Sequence, residues 1–405
     1  MRLDSLLRRE DFFLIFRKSL QRFLIDPNSS VVIYKRPNKQ ANYYVLPLLN
    51  LIFPSDTPTQ ILFELSSQYI FNPNPIKRLL NFLYVFIATL PLFRFFVSSH
   101  YIFIPPLHDD LNLSIFLPGN HSIKSFKPSS SSLIVFRKSF ESIELFDDCI
   151  RNRFLIMNSC FSADIKMPVL SEYNKSLSFY AESFLPGLPL NRISSKTLKH
   201  EFVQISCNQI ILLTNLSRSS IQIANYSLCL LHKVFECLRS LPDCYPITFC
   251  DNIKSIVIAI YHSLSSFSPN HYIPTSLTHG DFQPANILIH CTDRNSYPVI
   301  IDWEFLSIRS SWYDLFVFHL NTRSPLQLSS RLLSFSNDIP LVTQLINCVH
   351  NYHHDLHHSY IQIFLLEDIL FRLRDSSIFD PHELDIGLTT FIDELLIYFD
   401  LHDRI

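Results

Sequence analysis

Three side chains close together in the sequence have the types and spacing to do chemistry: Asp281, Asn286 and Asp302. They lie in Thr278-His279-Gly280-Asp281-Phe282-Gln283-Pro284-Ala285-Asn286-Ile287-Leu288-Ile289 and in Ile300-Ile301-Asp302-Trp303-Glu304. An acid, an amide five positions on, and a second acid after the apolar run Pro298-Val299-Ile300-Ile301 suit phosphoryl transfer. A phosphoryl group in flight spreads negative charge over its oxygens, so a protein must position it and neutralise it, mostly with Mg²⁺. Mg²⁺ takes hard oxygen ligands, one or two of them from the protein, and an Asn carbonyl and an Asp carboxylate meet that need. A separate carboxylate must then accept or orient the proton of the attacking hydroxyl.

The order His279, Gly280, Asp281, Asn286, Ile301, Asp302, Trp303, Glu304 resembles the aminoglycoside phosphotransferase and choline kinase branch of the kinase-like superfamily. That resemblance implies Asp281 as catalytic base, Asn286 and Asp302 as metal ligands, and His279 as a brace for the loop. Glu304 would support a second metal or the acceptor. Asp314, in Trp312-Tyr313-Asp314-Leu315, matches a later aspartate that supports the catalytic loop. Ala285 stands where the family often has Gly, which is tolerable if the backbone there avoids positive φ. The cofactors implied are Mg²⁺ and ATP, with GTP as the alternative.

Upstream, a small β-lobe should grip the nucleotide. Asn112 to Leu117, Ile123 to Lys127 and Leu133 to Lys138 read as three strands of a meander, with Pro118-Gly119-Asn120-His121-Ser122 as the tight turn expected to cover phosphates. Lys138, at the end of the third strand, is the expected phosphate-binding lysine. Arg137 is its rival, because alternation lets only one of the two face the cleft. Glu141 to Met157 is helical in pattern, with Ile143, Phe146, Ile150 and Phe154 on one stripe. Its acid for the lysine is ambiguous among Glu144, Asp147 and Asp148, and Cys149 falls at the family's position. Leu177 to Leu190 resembles the family hinge, with backbone groups of Glu182, Ser183 and Phe184 placed for the adenine edge.

The expected architecture is therefore α+β: a two-lobed protein-kinase-like fold with a small antiparallel N-lobe, a mainly helical C-lobe and an N-terminal extension. Residues 1–110 form the extension, 111–185 the nucleotide-binding lobe and 186–405 the C-lobe. His200 to Leu241, Asp251 to Phe267, Leu341 to Leu373 and Leu384 to Tyr398 read as its helices. Small acceptors are favoured over proteins, because His-Gly-Asp replaces His-Arg-Asp and Trp312 follows Asp302 by only ten positions. A sugar of a surface polysaccharide comes first, then an aminoglycoside, then choline or ethanolamine. The competing reading is a catalytically silent scaffold.

Composition bounds the rest. A net charge of -2 over 405 residues carries no basic bias toward nucleic acid. Nine cysteines without a Cys-x-x-Cys pair fit a reducing compartment rather than a disulfide framework, and Met1 to Asp26 is charged and amphipathic rather than a secretory leader. A cytoplasmic protein is expected. Leu79 to Phe93 is apolar but shorter than the ~20 residues a spanning helix needs. It reads as a buried helix, with peripheral membrane contact as the alternative. His350, His353, His354, His357 and His358 fall in a helical pattern at spacings that permit zinc, though such clusters are more often a solvated face. Glu367 and Asp368 could border a pocket for a cationic acceptor.

Overall fold

The computed structural model describes residues 3, 6–7, 10–72, 74–108, 111–128, 132–139, 142–267, 270–292, 295–377 and 385–402. Nine antiparallel strands form one sheet: β1 Val32–Tyr34, β2 Tyr43–Leu46, β3 Leu51–Pro54, β4 His100–Phe103, β5 Ile115–Pro118, β6 Ser122–Lys127, β7 Ser132–Arg137, β8 Leu170–Asn174 and β9 Phe179–Ser183. The spatial order is β1-β4-β2-β3-β5-β6-β7-β9-β8. The join between β3 and β5 pairs Ile52 with Phe116. The sheet thus continues from the first 110 residues into the segment expected to hold the nucleotide.

Side chains alternate across this sheet with period two, and the two faces have different covers. On one face Ile52, Phe116, Ile123, Ile134 and Phe136 pack with Phe12, Phe16 and Leu20 of α1 (Phe12–Leu20). Asp11 caps that helix by accepting from the Leu14 N–H at 3.2 Å. The other face carries α2 (Thr59–Ser66), α3 (Pro75–Thr89) and α4 (Pro91–Val97) at one end and α5 (Ile143–Met157) at the other. There Leu62, Val85 and Ala88 meet Leu46, Phe53, Ile115 and Phe126, while Ile150 of α5 meets Val135 and Tyr180.

The expectation that Leu79 to Phe93 is buried is corrected. Only a stripe of α3, centred on Val85, Ala88 and Thr89, reaches the sheet, and Leu79, Leu80, Leu83, Phe86 and Phe93 are exposed. The helix is apolar on both sides, but one side is enough to cover the strands beneath it. Among the described residues no single helix is long and apolar enough to cross a membrane.

The C-lobe is helical: α6 Lys196–Leu216, α7 Ile223–Arg239, α8 Ile247–Ser265, α9 Tyr313–Leu320, α10 Leu328–Asn337, α11 Ile339–Asn347, α12 His357–Ser377 and α13 Ile386–His402. Its strands are β10 Leu188–Pro189, β11 Ser219–Gln222, β12 Tyr272–Thr278, β13 Ile287–Cys291, β14 Ser296–Ile300 and β15 Ser307–Ser310. The region read as helical from His200 to Leu241 is two helices. The polar run Ser217-Arg218-Ser219-Ser220 leaves the helix and pairs with β12, Ser219 opposite Thr275. The nine-stranded sheet, larger than the small N-lobe expected because the N-terminal strands join it, and the helical lobe together make the two-lobed kinase-like α+β fold.

The histidines do not form a metal centre. The helix expected from Leu341 to Leu373 breaks between α11 and α12, which puts His350 and His353 on a connecting segment. His350 engages Arg218 and His357 engages Tyr352 and the Ser336 carbonyl. No three His, Cys, Asp or Glu side chains among the described residues are grouped to hold a metal.

Candidate active site

The catalytic loop hangs between β12 and β13, and a buried carboxylate holds its shape. Asp314, near the start of α9, accepts from the His279 N–H at 2.6 Å with one oxygen and from the Gly280 N–H at 2.9 Å with the other. Burial pushes its carboxyl pKa up, opposed by His279 and the two backbone donors. The His279 ring is equally constrained. Its Nδ1 accepts from the Asp281 N–H at 3.2 Å, which leaves Nε2 as the protonated nitrogen that donates to the Ile301 carbonyl at 2.9 Å. One imidazole thereby ties the loop carrying Asp281 to the segment carrying Asp302.

Gly280 sits at φ 87, and a Cβ there would lie 2.6 Å from the Phe305 carbonyl oxygen. The position demands glycine on conformation and on space. Ala285 makes no such demand, since it is absent from the positive-φ residues. Asp302 is itself left-handed, at φ 67 and ψ 55, which short polar side chains tolerate best.

Asn286 and Asp302 meet at the end of the β13–β14 hairpin. Ile287 pairs with Ile300, and the Ile301 N–H donates to the Asn286 carbonyl at 2.9 Å. The Asn286 amide nitrogen donates to Asp281 twice, at 2.7 Å to Oδ2 and at 2.9 Å to the backbone oxygen. That orientation leaves Oδ1, a hard oxygen donor, turned away from Asp281 at the hairpin end that also carries Asp302. This donor set fits a magnesium ion.

Two cations that the sequence did not single out complete the site. Lys124 on β6 bonds Asp302, Nζ to Oδ1 at 2.8 Å. Burial opposes the charge on Asp302, but the charge and hydrogen bond of Lys124 outweigh it and hold the carboxyl below the usual range. Arg323, just beyond α9, bonds Asp281 Oδ1 at 2.7 Å through Nε and the Gly280 carbonyl at 2.7 Å through Nη2. Its Nη1 lies 2.6 Å from Asp368.

Lys138 is not brought to this cleft. It shares its face with Ile134 and Phe136, and its Nζ is fully buried 2.6 Å from Glu10 beside Phe12. Lys124 lies opposite Val135 and Leu117 in register, on the face toward α5. Arg137, the rival, pairs in register with Ser122 on that same side. The acids that act on Lys124 are Asp302, Glu182 and Glu304, none of them on α5, where Glu144 is exposed. Asp147 accepts from the Tyr173 hydroxyl at 2.5 Å, Asp148 pairs with Arg151 at 3.2 Å, and the Cys149 thiol donates to the Trp303 carbonyl at 2.9 Å. Arg153 of α5 instead bonds Glu182 at 2.8 Å, almost fully buried.

Of the three hinge residues, Glu182 lies inside the sheet between Leu133 and Leu170, and Ser183 donates its N–H to the Val169 carbonyl at 3.0 Å. Phe184, its ring tilted 48° against Phe126 with centroids 4.6 Å apart, is the first beyond the strand. Gly187 follows where the hinge crosses β13, and a Cβ there would stand 2.4 Å from the Ile289 carbonyl oxygen. The Gly119 turn leans across to the C-lobe: His121 bonds Asp375 at 2.7 Å and Ser122 donates to Glu304 at 3.0 Å. Burial, then the charge of Asp302, pushes the Glu304 carboxyl above the usual range.

Glu367, with Leu370 and Phe371, borders a cavity of about 190 Å³ that Glu304 and Tyr226 also line, whereas Asp368 does not reach it. Glu367 accepts from the Ser310 N–H at 2.6 Å, the Ser310 hydroxyl and the Tyr226 hydroxyl. Asp368 holds Arg323, Arg372 and the Tyr313 hydroxyl.

An antiparallel lobe over a helical lobe, with an acid–amide loop and a second acid at the junction, is the arrangement of a kinase-like fold. Residues 265–333 match the model of the phosphotransferase enzyme family (APH), a segment that contains His279, Asp281, Asn286, Asp302, Asp314 and Arg323. The resemblance read from the motif is borne out over that segment. Among solved structures, a choline kinase of Streptococcus pneumoniae is similar at 12% identity and a TM-score of 0.47, over 70% of this chain and 91% of its own. An ethanolamine kinase of Plasmodium vivax is similar at 14% identity and a TM-score of 0.44, over 86% of this chain and 96% of its own. The GDP complex of an aminoglycoside phosphotransferase is similar at 14% identity and a TM-score of 0.41, over 71% and 90%. No protein of curated function matches the chain in sequence.

Proposed function

We propose that the chain is a small-molecule phosphotransferase that moves the γ-phosphoryl group of ATP, with GTP as the alternative donor, to a hydroxyl acceptor. The observation that carries this reading is the convergence of Asp281, Asn286 and Asp302 through the Ile301–Asn286 and His279–Ile301 hydrogen bonds. Asn286 Oδ1 and the Asp302 carboxylate would hold magnesium, which neutralises phosphate oxygens when bound. Glu304 lies beside Asp302 on the same turn and would serve a second ion or the acceptor. Lys124 takes the part of the phosphate-binding lysine that Lys138 cannot take.

The acceptor oxygen attacks the γ-phosphorus, the bond to the β-phosphate oxygen breaks, and the nucleoside diphosphate departs. Asp281 orients the acceptor hydroxyl and receives its proton. Three donors, from Arg323, Gln283 and Asn286, bond the Asp281 carboxylate and fix its orientation. That suits a loose transition state, in which positioning contributes more than proton removal. Lys124 and Ser122 reach Asp302 and Glu304 directly across the cleft, so nucleotide entry must exchange these bonds for bonds to phosphate. The hydroxyl-bearing acceptors ranked above (a polysaccharide sugar, an aminoglycoside, choline) remain in that order.

The test is a screen of metabolite pools with labelled ATP, comparing the wild type with Asp281→Ala. A labelled product made only by the wild type supports the reading. Equal labelling by both proteins, or none by either, returns the chain to the silent-scaffold class.

A further inference from the structure

We propose that the α3–α4 corner docks this protein on the surface of an anionic lipid bilayer. This inference rests on the surface of the N-terminal 110 residues and is independent of the phosphotransferase reading.

Eleven large apolar side chains between Ile76 and Phe96 are exposed, with Leu92 at 80% and Phe96 at 79%. This is far more than a scatter of single surface residues. A helix that is apolar all round belongs either inside a protein or in a membrane, and here only the Val85–Ala88–Thr89 stripe is covered by protein. The two helices bend by 103°. Pro91 sets the break by restricting Leu90 to an extended backbone, observed at ψ 135. At 15 residues α3 is about 22 Å long, short of the ~30 Å hydrocarbon core. The bent pair therefore suits the plane of the headgroup boundary rather than a crossing.

Arg94 ties the corner to the helix before it and to the start of α2. Arg94, the single charge of α4, is turned inward and 2% exposed. Its guanidinium bonds the Thr89 carbonyl at 2.9 Å and 2.8 Å, the Thr57 carbonyl at 2.6 Å and the Thr59 hydroxyl at 3.0 Å. The outer face of α4 is left wholly apolar, presented as a preformed wedge of Leu92, Phe93, Phe95 and Phe96.

Charge selects the occupant. From Leu65 to His108 the chain has no acidic residue, while Lys77 and Arg78 at the start of α3 are exposed. An anionic lipid surface supplies the counter-charge. A second copy meeting this face would bring the same cations to the same boundary, with no acid in the segment to receive them.

Full-length protein is mixed with phosphatidylcholine vesicles and with vesicles containing 30 mol% phosphatidylglycerol (~), then floated on a density gradient. Flotation with the anionic vesicles is expected. It should fall about tenfold in Leu92→Asp/Phe96→Asp and about fivefold for each charge removed in Lys77→Gln/Arg78→Gln. Near-ultraviolet spectra of Trp303 and Trp312 report whether the variants fold, and the charge variant carries the test if the wedge variant does not. Absence of flotation with anionic vesicles overturns the proposal. So does equal flotation of wild type and variants, or a concentration-dependent dimer that the wedge substitutions abolish while flotation is unchanged.

Discussion

Lys124 and Asp302, 178 positions apart in the chain, are bonded Nζ to Oδ1 at 2.8 Å and join the two lobes across the cleft. The lysine comes from the second strand of the meander. The third strand, where a lysine was expected, presents Val135 opposite Lys124 in register. Lys124→Ala should lower kcat/KM for the nucleotide by ~10²–10³-fold, with folding intact, measured by steady-state kinetics and thermal melts.

The complementary substitution has the opposite signature. Lys138→Met leaves Glu10 buried against an apolar neighbour and should cost about 3–5 kcal/mol of stability, read by denaturant titration. The nucleotide KM of the folded fraction should not change. A wild-type melting curve together with lost turnover would return the phosphate role to Lys138.

Arg323 joins four acceptors with one planar fork: Asp281, the Gly280 carbonyl, Asp368 and the Tyr313 hydroxyl. Arg323→Lys keeps the charge but offers a point donor, so Asp281 loses its fixed orientation. A drop in kcat with an unchanged nucleotide KM is expected. For comparison, Asp281→Ala should cost ~10²–10⁴-fold in kcat.

Glu367 gives the protein a pH-dependent stability. Burial pushes its carboxyl from 4.5 up to about 7, against the donors Ser310 and Tyr226. Between those two values the folded chain holds a proton that the unfolded chain has released. This contribution to stability therefore falls as pH rises through that window and is level above it. Glu367→Gln should flatten the melting temperature over the window. An unaltered pH profile would assign the slope to other groups.

Burial also pushes the Cys149 thiol up to about 12, while Cys160, Cys229, Cys291 and Cys348 are exposed. Iodoacetamide at neutral pH should modify the exposed cysteines of the native protein and spare Cys149, since the thiolate is the nucleophile. Peptide mass mapping before and after denaturation checks this.

How far the sequence could be read differs from one part of the site to another. The loop from His279 to Asn286 and the acid at 302 were legible because they are joined by local geometry: one hairpin, one glycine turn, one ring bridging them. Asp314 was legible only through the family resemblance, which places a supporting aspartate after the loop. Lys124 and Arg323 were not, since each reaches its carboxylate through the packing of separate elements. Alternation told that Arg137 and Lys138 face opposite ways. It could not tell which way was the cleft, because that depends on which face α1 covers. The helix Pro75–Thr89 was likewise readable as apolar, but its composition says nothing about whether protein covers its outer face.

The chain by itself determined the kind of chemistry, since an acid, an amide and a second acid at those spacings follow from covalent order and short-range hydrogen bonding. Only the tertiary structure decided which cations serve them. A charge finds its partner by distance through space, and 178 residues of intervening chain carry no record of that distance until the lobes pack.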